Sequence, residues 1–276
     1  MKLPFQLDLS GKTAVVTGGS GVLGACFARA LTACGARVAI LARNPENAKA
    51  VLEGIEGEAA FFEADVTDLA TLQRAKEEII SRFGKPGILI NGAGGNNPRA
   101  TTEDEFYHQG APVRDFFQLD LGALKQIFDL NFHGALLACQ VFAKDMAGMP
   151  GACIINISSM TAYRPLTKIP AYSGAKAAVQ NLTQWLATYF AGSGLRVNAI
   201  APGFFVGNQN RGMLFDAQGK PTPRTEKILR ATPMGRFGEP EELLGTLLYL
   251  ISPEASGFVT GIVIPVDGGF SAYSGV

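Results

Sequence analysis

TAVVTGGSGVLGACFARALTACGARVAIL, residues 13–41, holds the plan of the chain in miniature. An apolar, β-branched run at 13–17 enters a turn with glycines at 18, 19, 21 and 24 and passes directly into apolar residues at helical spacing. A second apolar run follows at 37–41. Short runs without polar alternation read as strands buried on both faces, and a helix between two such strands makes them parallel. The glycines have a second consequence. They let backbone approach a bound pyrophosphate, whose charge meets free N–H groups at the helix start. Gly18, Ser20, Gly21, Val22, Leu23 and Gly24 are therefore candidate dinucleotide contacts. No Gly-Lys-Ser or Gly-Lys-Thr follows, which disfavours a P-loop NTPase.

The alternation continues to the far end. Further strands are predicted at 59–63, 87–91, 153–158, 196–201 and 262–266, and helices at 23–34, 69–83, 119–147, 171–190 and 240–251. Strands alternating with crossover helices predict an α/β chain: seven parallel strands in one doubly wound sheet, with helices on both faces. No linker or repeat interrupts it, so one domain is expected over 1–276. Two segments break the rhythm: 94–118, rich in Asn, Thr and charge, and 203–237, rich in Gly, Pro and Arg. Each follows the carboxyl end of a strand, the edge at which open α/β sheets bind ligands. Both are expected to be substrate loops that act as walls and lids.

Composition narrows the function classes. Lys+Arg 24 balance Asp+Glu 24, charged residues make up 17%, hydrophobic ones 47%, and mean hydropathy is +0.16. So little charge excludes a long disordered tail or a solvated coiled coil, and zero net charge offers no cationic face for nucleic acid. Cys26, Cys34, Cys139 and Cys153 lie in apolar stretches without a CxxC or a close His. Buried thiols are expected there, rather than disulfides or a metal site. The start MKLPFQLDLSGK meets Pro4 and Asp8 too early for a secretory leader, and no apolar run approaches membrane-spanning length. The expected setting is cytoplasmic, with a small-molecule substrate and neither nucleic acid nor membrane as partner.

Candidate chemistry gathers at strand ends. The second strand ends in Ala42-Arg43, without the Asp or Glu that an NAD-selective site offers the ribose hydroxyls. Arg43 suits a ribose 2′-phosphate, which favours NADP(H) and leaves NAD(H) open. Asp65 and Val66, after the third strand, are placed either to meet adenine or to make a turn. Ser158 and Ser159 close the fifth strand, and Tyr172 and Lys176, four apart, share a helix face one segment later. A phenol titrates near pH 10. Acid–base work near neutrality requires its pKa to fall by roughly two to three, about 3 to 4 kcal/mol, which a lysine ammonium and an oxidised nicotinamide ring would supply.

Thr17-Gly-Gly-Ser-Gly-Val-Leu-Gly24, Asn91-Gly-Ala-Gly94, Asn131, Ile155-Asn-Ile-Ser-Ser159, Tyr172-xxx-Lys176 and Pro202-Gly203, in this order and spacing, resemble the short-chain dehydrogenase/reductase family over nearly the whole chain. The resemblance implies a single-domain Rossmann fold and a catalytic tetrad. Tyr172 would exchange the proton, Ser159 hydrogen-bond the substrate oxygen, Lys176 hold the nicotinamide ribose and Asn131 position a water. It further implies coenzyme contacts at Asn91, Gly92, Ala93, Gly94, Tyr172, Lys176, Pro202, Gly203 and Val206. A homotetramer or homodimer would use the helices at 119–147 and 171–190, where Leu182, Trp185, Leu186 and Tyr189 suit either an interface or the core. Two positions depart from the family pattern. Val22 stands where glycine is usual, and Gly207 stands where Thr often follows the Pro-Gly pair, which leaves that coenzyme contact to the backbone of Val206.

Within the family, 94–102 together with 202–211 resembles the D-mannonate oxidoreductase, or fructuronate reductase, type. Amides at Asn96, Asn97, Gln209 and Asn210 can donate and accept toward a polyol, and Arg211 or Arg99 can grip a carboxylate. His108 is a further candidate donor, whereas His133 is expected to pack in its helix. The expected reaction moves hydride between the nicotinamide and a secondary alcohol or ketone of a sugar acid, with D-mannonate and D-fructuronate as the pair. The alternatives are reduction of another ketose or of a steroid-like or 3-ketoacyl ketone, and a nucleotide-binding sensor without activity. Amide-rich loops speak against an apolar ketone, and intact Ser159, Tyr172 and Lys176 against the sensor.

Overall fold

The computed structural model describes residues 7–207 and 211–275. In chain order it runs β1 (Thr13–Thr17), α1 (Val22–Ala33), β2 (Arg37–Ala42), α2 (Pro45–Leu52), β3 (Ala59–Glu63), α3 (Leu69–Phe83), β4 (Ile88–Asn91), α4 (Leu121–Phe128) and α5 (Gly134–Met146). It continues through β5 (Cys153–Ile157), α6 (Pro170–Phe190), β6 (Arg196–Pro202), α7 (Arg211–Leu214), α8 (Pro223–Ala231), α9 (Leu244–Ile251), α10 (Pro253–Ser256) and β7 (Val263–Val266). All strand pairs are parallel, in the order β3-β2-β1-β4-β5-β6-β7. The order reverses at β1, which lies between β2 and β4. The crevice outside the carboxyl ends of β1 and β4 is therefore the place for a ligand.

Successive strand residues point to opposite faces, and this divides the core in two. Val15, Leu41, Leu89 and Ile154 face one layer, where Phe83, Phe142 and Leu186 of α3, α5 and α6 cover them. Val16, Ile40, Ile90 and Ile155 face the other, under Phe27, Leu31 and Leu247 of α1 and α9. A third, small cluster of Ala100, Ala123, Ile127, Ala171 and Ala175 packs against Tyr172. Cys26, Cys139 and Cys153 are buried, Cys34 is half-buried, and all four are free. Burial pushes the Cys139 thiol up to about 12 and Cys153 up to about 11, so neither offers a thiolate near neutrality. No described helix is long and apolar enough to cross a membrane.

Three expectations change. The helix predicted at 119–147 is interrupted by a π-helical turn, Asp129–His133, between α4 and α5. α2 has no counterpart in the sequence reading because it buries only Ala48 and Val51, too little for a periodic signal. Its mark is a cap: Asn44 accepts from the N–H groups of Glu46 and Asn47, and Pro45 opens the helix. The two long segments carry short elements of their own. Residues 94–118 contain 3₁₀ turns at Pro98–Ala100 and Phe116–Gln118, and 203–237 contain α7 and α8 with isolated bridges from Phe205 to Gly238 and from Phe215 to Pro221. On α6, Leu182 and Leu186 belong to the core. Trp185 and Tyr189 stack outward at 4.8 Å, so those four residues divide between two faces.

Candidate active site

The turn after β1 is closed by backbone against backbone. A Cβ on Gly18, whose φ is +65°, would stand 2.8 Å from Ala93 Cα, and one on Gly24 would stand 2.4 Å from the Gly18 carbonyl oxygen. Only glycine lets α1 begin this close to the strand end. No side chain caps α1 and no acidic residue sits in its first turn, so its N–H groups and dipole are left for an anion. Thr17, absent from the predicted contacts, ties the crevice together: its hydroxyl accepts from the N–H groups of Gly92 at 3.2 Å and Ala93 at 3.3 Å. Its signal in the sequence was its place as the last residue of the first strand. Gly203, on the far wall, is equally constrained, since a Cβ there would lie 2.6 Å from Asp267 Cα. These residues form a cradle that fits a dinucleotide.

Several of the predicted coenzyme residues sit differently from expectation. The Asn91 side chain is turned into the sheet, where its amide donates to Asn156 at 2.8 Å and to Cys139 sulfur at 3.2 Å; Asn156 in turn donates to Thr183 at 2.9 Å. It joins β4 to β5 and α6 instead of reaching into the crevice. Arg43 is exposed and 3.8 Å from the Asp65 carboxylate. Burial pushes the Asp65 carboxyl up, but hydrogen bonds from Thr67 and the charge of Arg43 outweigh it and hold the group below the usual range. Asp65 thus caps its own turn and offsets the cation meant for a 2′-phosphate. Val66 is buried against Gly134. Val22 and Gly207, the two departures from the family pattern, adjoin: a Cβ on Gly207 would lie 3.5 Å from Val22 Cγ2.

Ser159 follows β5 and opens a 3₁₀ turn, while Tyr172 and Lys176 stand on the first turns of α6, behind Pro170. The Ser158 hydroxyl donates to the Lys176 carbonyl at 3.1 Å, and Lys176 Nζ donates to the Ile157 carbonyl at 2.8 Å, so helix and strand end are bonded to each other twice. Ser159 hydrogen-bonds the Tyr172 phenol. Tyr172 is half-buried overall, but its hydroxyl lies deep enough that desolvation raises its pKa, and the Ser159 bond opposes this only in part. The expected priming by Lys176 is therefore absent from the protein's own charges. Nζ sits 5.7 Å from the Tyr172 ring centroid, and burial lowers Lys176 itself to about 8.

Asn131 lies in the π-helical turn with its side chain committed. Its amide donates to the carbonyls of Gly95 at 2.7 Å and Ile127 at 2.9 Å, and its oxygen accepts from the Gly95 N–H at 3.2 Å. The side chain bridges backbone, and the turn that frees Ile127 for it is a known mark of functional helices. A Cβ on Gly94 would stand 2.7 Å from Asn131 Oδ1 and 3.1 Å from Lys176 Nζ, so the 94–95 backbone threads between these two members of the tetrad. Gly95, unnamed in the sequence reading, is the partner that Asn131 requires.

Among the described residues, the predicted substrate side chains have partners of their own. Asn97 caps Pro98–Ala100 through its oxygen and donates to Gln126 at 3.1 Å; Asn96 donates to Thr101 at 3.2 Å. Both amides line a groove of about 710 Å³ with Arg43, Thr67, Gln126 and Leu130, in which Ser159, Tyr172 and Lys176 take no part. Arg99 is exposed beside Asp120 at 3.8 Å, and the Arg211 guanidinium lies 5.8 Å from the Phe215 ring centroid. His108 is exposed. His133 does not pack in its helix: its ring is exposed and 2.8 Å from Asp129. Gln209 and Asn210 lie outside the described residues.

Comparison with known proteins gives this geometry its family. A family model described as enoyl-(acyl carrier protein) reductase matches residues 20–271. An uncharacterized oxidoreductase from Bacillus subtilis is 52% identical over 99% of this chain and 100% of its own. The chain belongs to the short-chain dehydrogenase/reductase family. This short-chain dehydrogenase/reductase is also 32% identical to the gluconate 5-dehydrogenase of Gluconobacter oxydans, over 98% of its length and 99% of the relative's. A solved Haemophilus influenzae structure with bound NAD, provisionally described as a D-mannonate oxidoreductase, is 53% identical with a TM-score of 0.95 and full coverage of both chains. The enzyme is thus an oxidoreductase whose relatives act on alcohols.

Proposed function

We propose that this enzyme interconverts a secondary alcohol and a ketone on a sugar acid, with D-mannonate and D-fructuronate as the first pair to test. The observation that carries the reaction class is the convergence of Ser159, at the end of β5, with Tyr172 and the buried Lys176 of α6, which is bonded to that strand end, at the carboxyl edge beside the glycine cradle. A nicotinamide dinucleotide, when bound, supplies the hydride acceptor for oxidation and the hydride donor for reduction. The turn Gly18–Gly24, Thr17, Gly92–Gly94 and Gly203 would hold it. Tyr172 takes the proton of the substrate hydroxyl during oxidation and returns it during reduction, while Ser159 orients that oxygen and stabilises its charge. Because burial raises the phenol and Lys176 does not offset it in the protein alone, the positive charge of the oxidised ring must offset that cost.

The sugar-acid assignment is supported by the gluconate 5-dehydrogenase relative and by the provisional description of the Haemophilus protein. For the coenzyme we favour NAD(H), because Asp65 offsets Arg43 and the 53%-identical neighbour binds NAD. The outward Trp185–Tyr189 stack supports a homo-oligomer assembled on α6, which light scattering would report. Turnover of hexuronates and aldonates, followed by nicotinamide absorbance, tests the substrate, and kcat/KM with NADH against NADPH tests the coenzyme. Tyr172→Phe should lower kcat about a thousandfold with NAD affinity within about threefold of the parent. Turnover within tenfold of the parent would rule out this proton donor.

A further inference from the structure

Lys168 lies in the connection between Ser159 and Tyr172, and among the described residues it is the one non-glycine with a positive φ, 75°. That backbone region is unfavourable for a side chain as large as lysine and persists only where surrounding contacts impose it. The contacts here are two. The Lys168 carbonyl accepts from the Thr102 N–H at 3.0 Å, and its ammonium donates to the Glu103 carbonyl at 2.6 Å. Two consecutive residues of the 94–118 wall are thereby tied to the turn that leads into the proton donor.

The neighbouring residues extend the tie across the cleft. Ala100, just before it, is fully buried in the cluster that packs against Tyr172. Glu105, just after it, meets Lys227 of α8 at 3.0 Å. Arg114 closes the excursion: its Nε donates to the Thr101 carbonyl at 3.0 Å, and its own carbonyl accepts from the Glu103 N–H at 2.9 Å. Residues 100–105 therefore run from beneath Tyr172, past Lys168, to the second wall. We propose that Lys168 is a positioning residue: its two-point tie to Thr102 and Glu103 sets the distance between the 94–118 substrate wall and the Ser159–Tyr172 pair. Lys168 touches no reacting atom in this role. It acts through the wall, and the strained backbone is what turns its carbonyl and its ammonium toward two consecutive residues of that wall.

Three variants test the proposal. Lys168→Gly removes the ammonium and suits the positive φ, so it keeps the fold; Lys168→Met removes the ammonium and keeps the strain; Lys168→Arg keeps the charge. Hydrogen–deuterium exchange across residues 100–118 is expected to rise at least about fivefold in the Gly and Met variants and to stay near the parent in Arg. The kinetic arm, which rests on the function proposed above, uses D-mannonate and NAD. KM for D-mannonate should rise about tenfold with kcat within about threefold and NAD affinity unchanged, because the wall rather than the chemistry has moved. Parent-like exchange in Lys168→Gly overturns the proposal, as does a fall in kcat with KM unchanged. If the parent does not oxidise D-mannonate, the substrate reading fails and the exchange measurement alone decides Lys168.

Discussion

The coenzyme side and the substrate side of this cleft are held by different forces. Around β1 and β4 the parts touch backbone to backbone: Gly18 against Ala93, Gly24 against Gly18, and Thr17 bonded across to Gly92 and Ala93. Behind them the Asn91–Asn156–Thr183 chain is fully buried. The 94–118 and 203–237 walls, besides the Lys168 tie, carry exposed ion pairs, Arg114 with Glu103 at 3.9 Å, Arg99 with Asp120 at 3.8 Å and Lys227 with Glu105 at 3.0 Å. The first of these walls also leaves Phe106, Tyr107, Phe116 and Phe117 in solvent. Close packing leaves no room to adjust, whereas an exposed ion pair contributes only about 0–1 kcal/mol. On the proposed function, one side suits a constant ligand and the other can be re-dressed for different ones.

Three substitutions break or sharpen that contrast. Gly24→Ala should do most, because its Cβ would stand 2.4 Å from a carbonyl oxygen that cannot move without moving β1. We expect a loss of about 3 kcal/mol in unfolding free energy and about a hundredfold in NAD affinity. Denaturant titration and NAD titration would read these, and a parent-like midpoint would erase the difference between the two sides.

Lys176→Met should show a pH signature at the seam between them. Burial lowers the Lys176 pKa from 10.5 to about 8, so between these values the unfolded chain holds a proton that the folded chain has released. The parent should therefore gain stability relative to Lys176→Met as pH rises from about 8 to 10.5, by about 3 kcal/mol, with no relative change below pH 8. A difference that stays flat across that window would show the ammonium to be well solvated.

The smallest effect belongs to the substrate side. Glu105→Gln removes the charge that pairs with Lys227, and the Lys227 side chain, 64% exposed, leaves that pair open to solvent. Stability should fall by less than about 1 kcal/mol, and that loss should vanish in high salt. A larger, salt-independent loss would mean that this wall is as tightly built as the glycine cradle.

The seven strands, their faces and the order of the tetrad could be read from the chain because each rests on local, repeating information: apolar runs, glycine at a turn, and two residues four apart on one helix. Gly95 and Lys168 could not be found that way, since each matters through a partner many positions distant. Asn97 looked available because the pattern names a residue without saying whether its hydrogen bonds are already spent. In the fold, Asn97 caps a turn and Asn131 holds Gly95. α2 escaped notice because its cap outweighs its faint apolar stripe.

Periodicity and short motifs are properties of neighbours along the chain, so the amino-acid sequence by itself settled the parallel sheet, the glycine turn and the family. Desolvation, carbonyl partners and the reach of one wall to another exist only after distant segments pack. Folding alone therefore raised the Tyr172 phenol, lowered Lys176, set Asp65 beside Arg43 and tied Lys168 to the wall it faces.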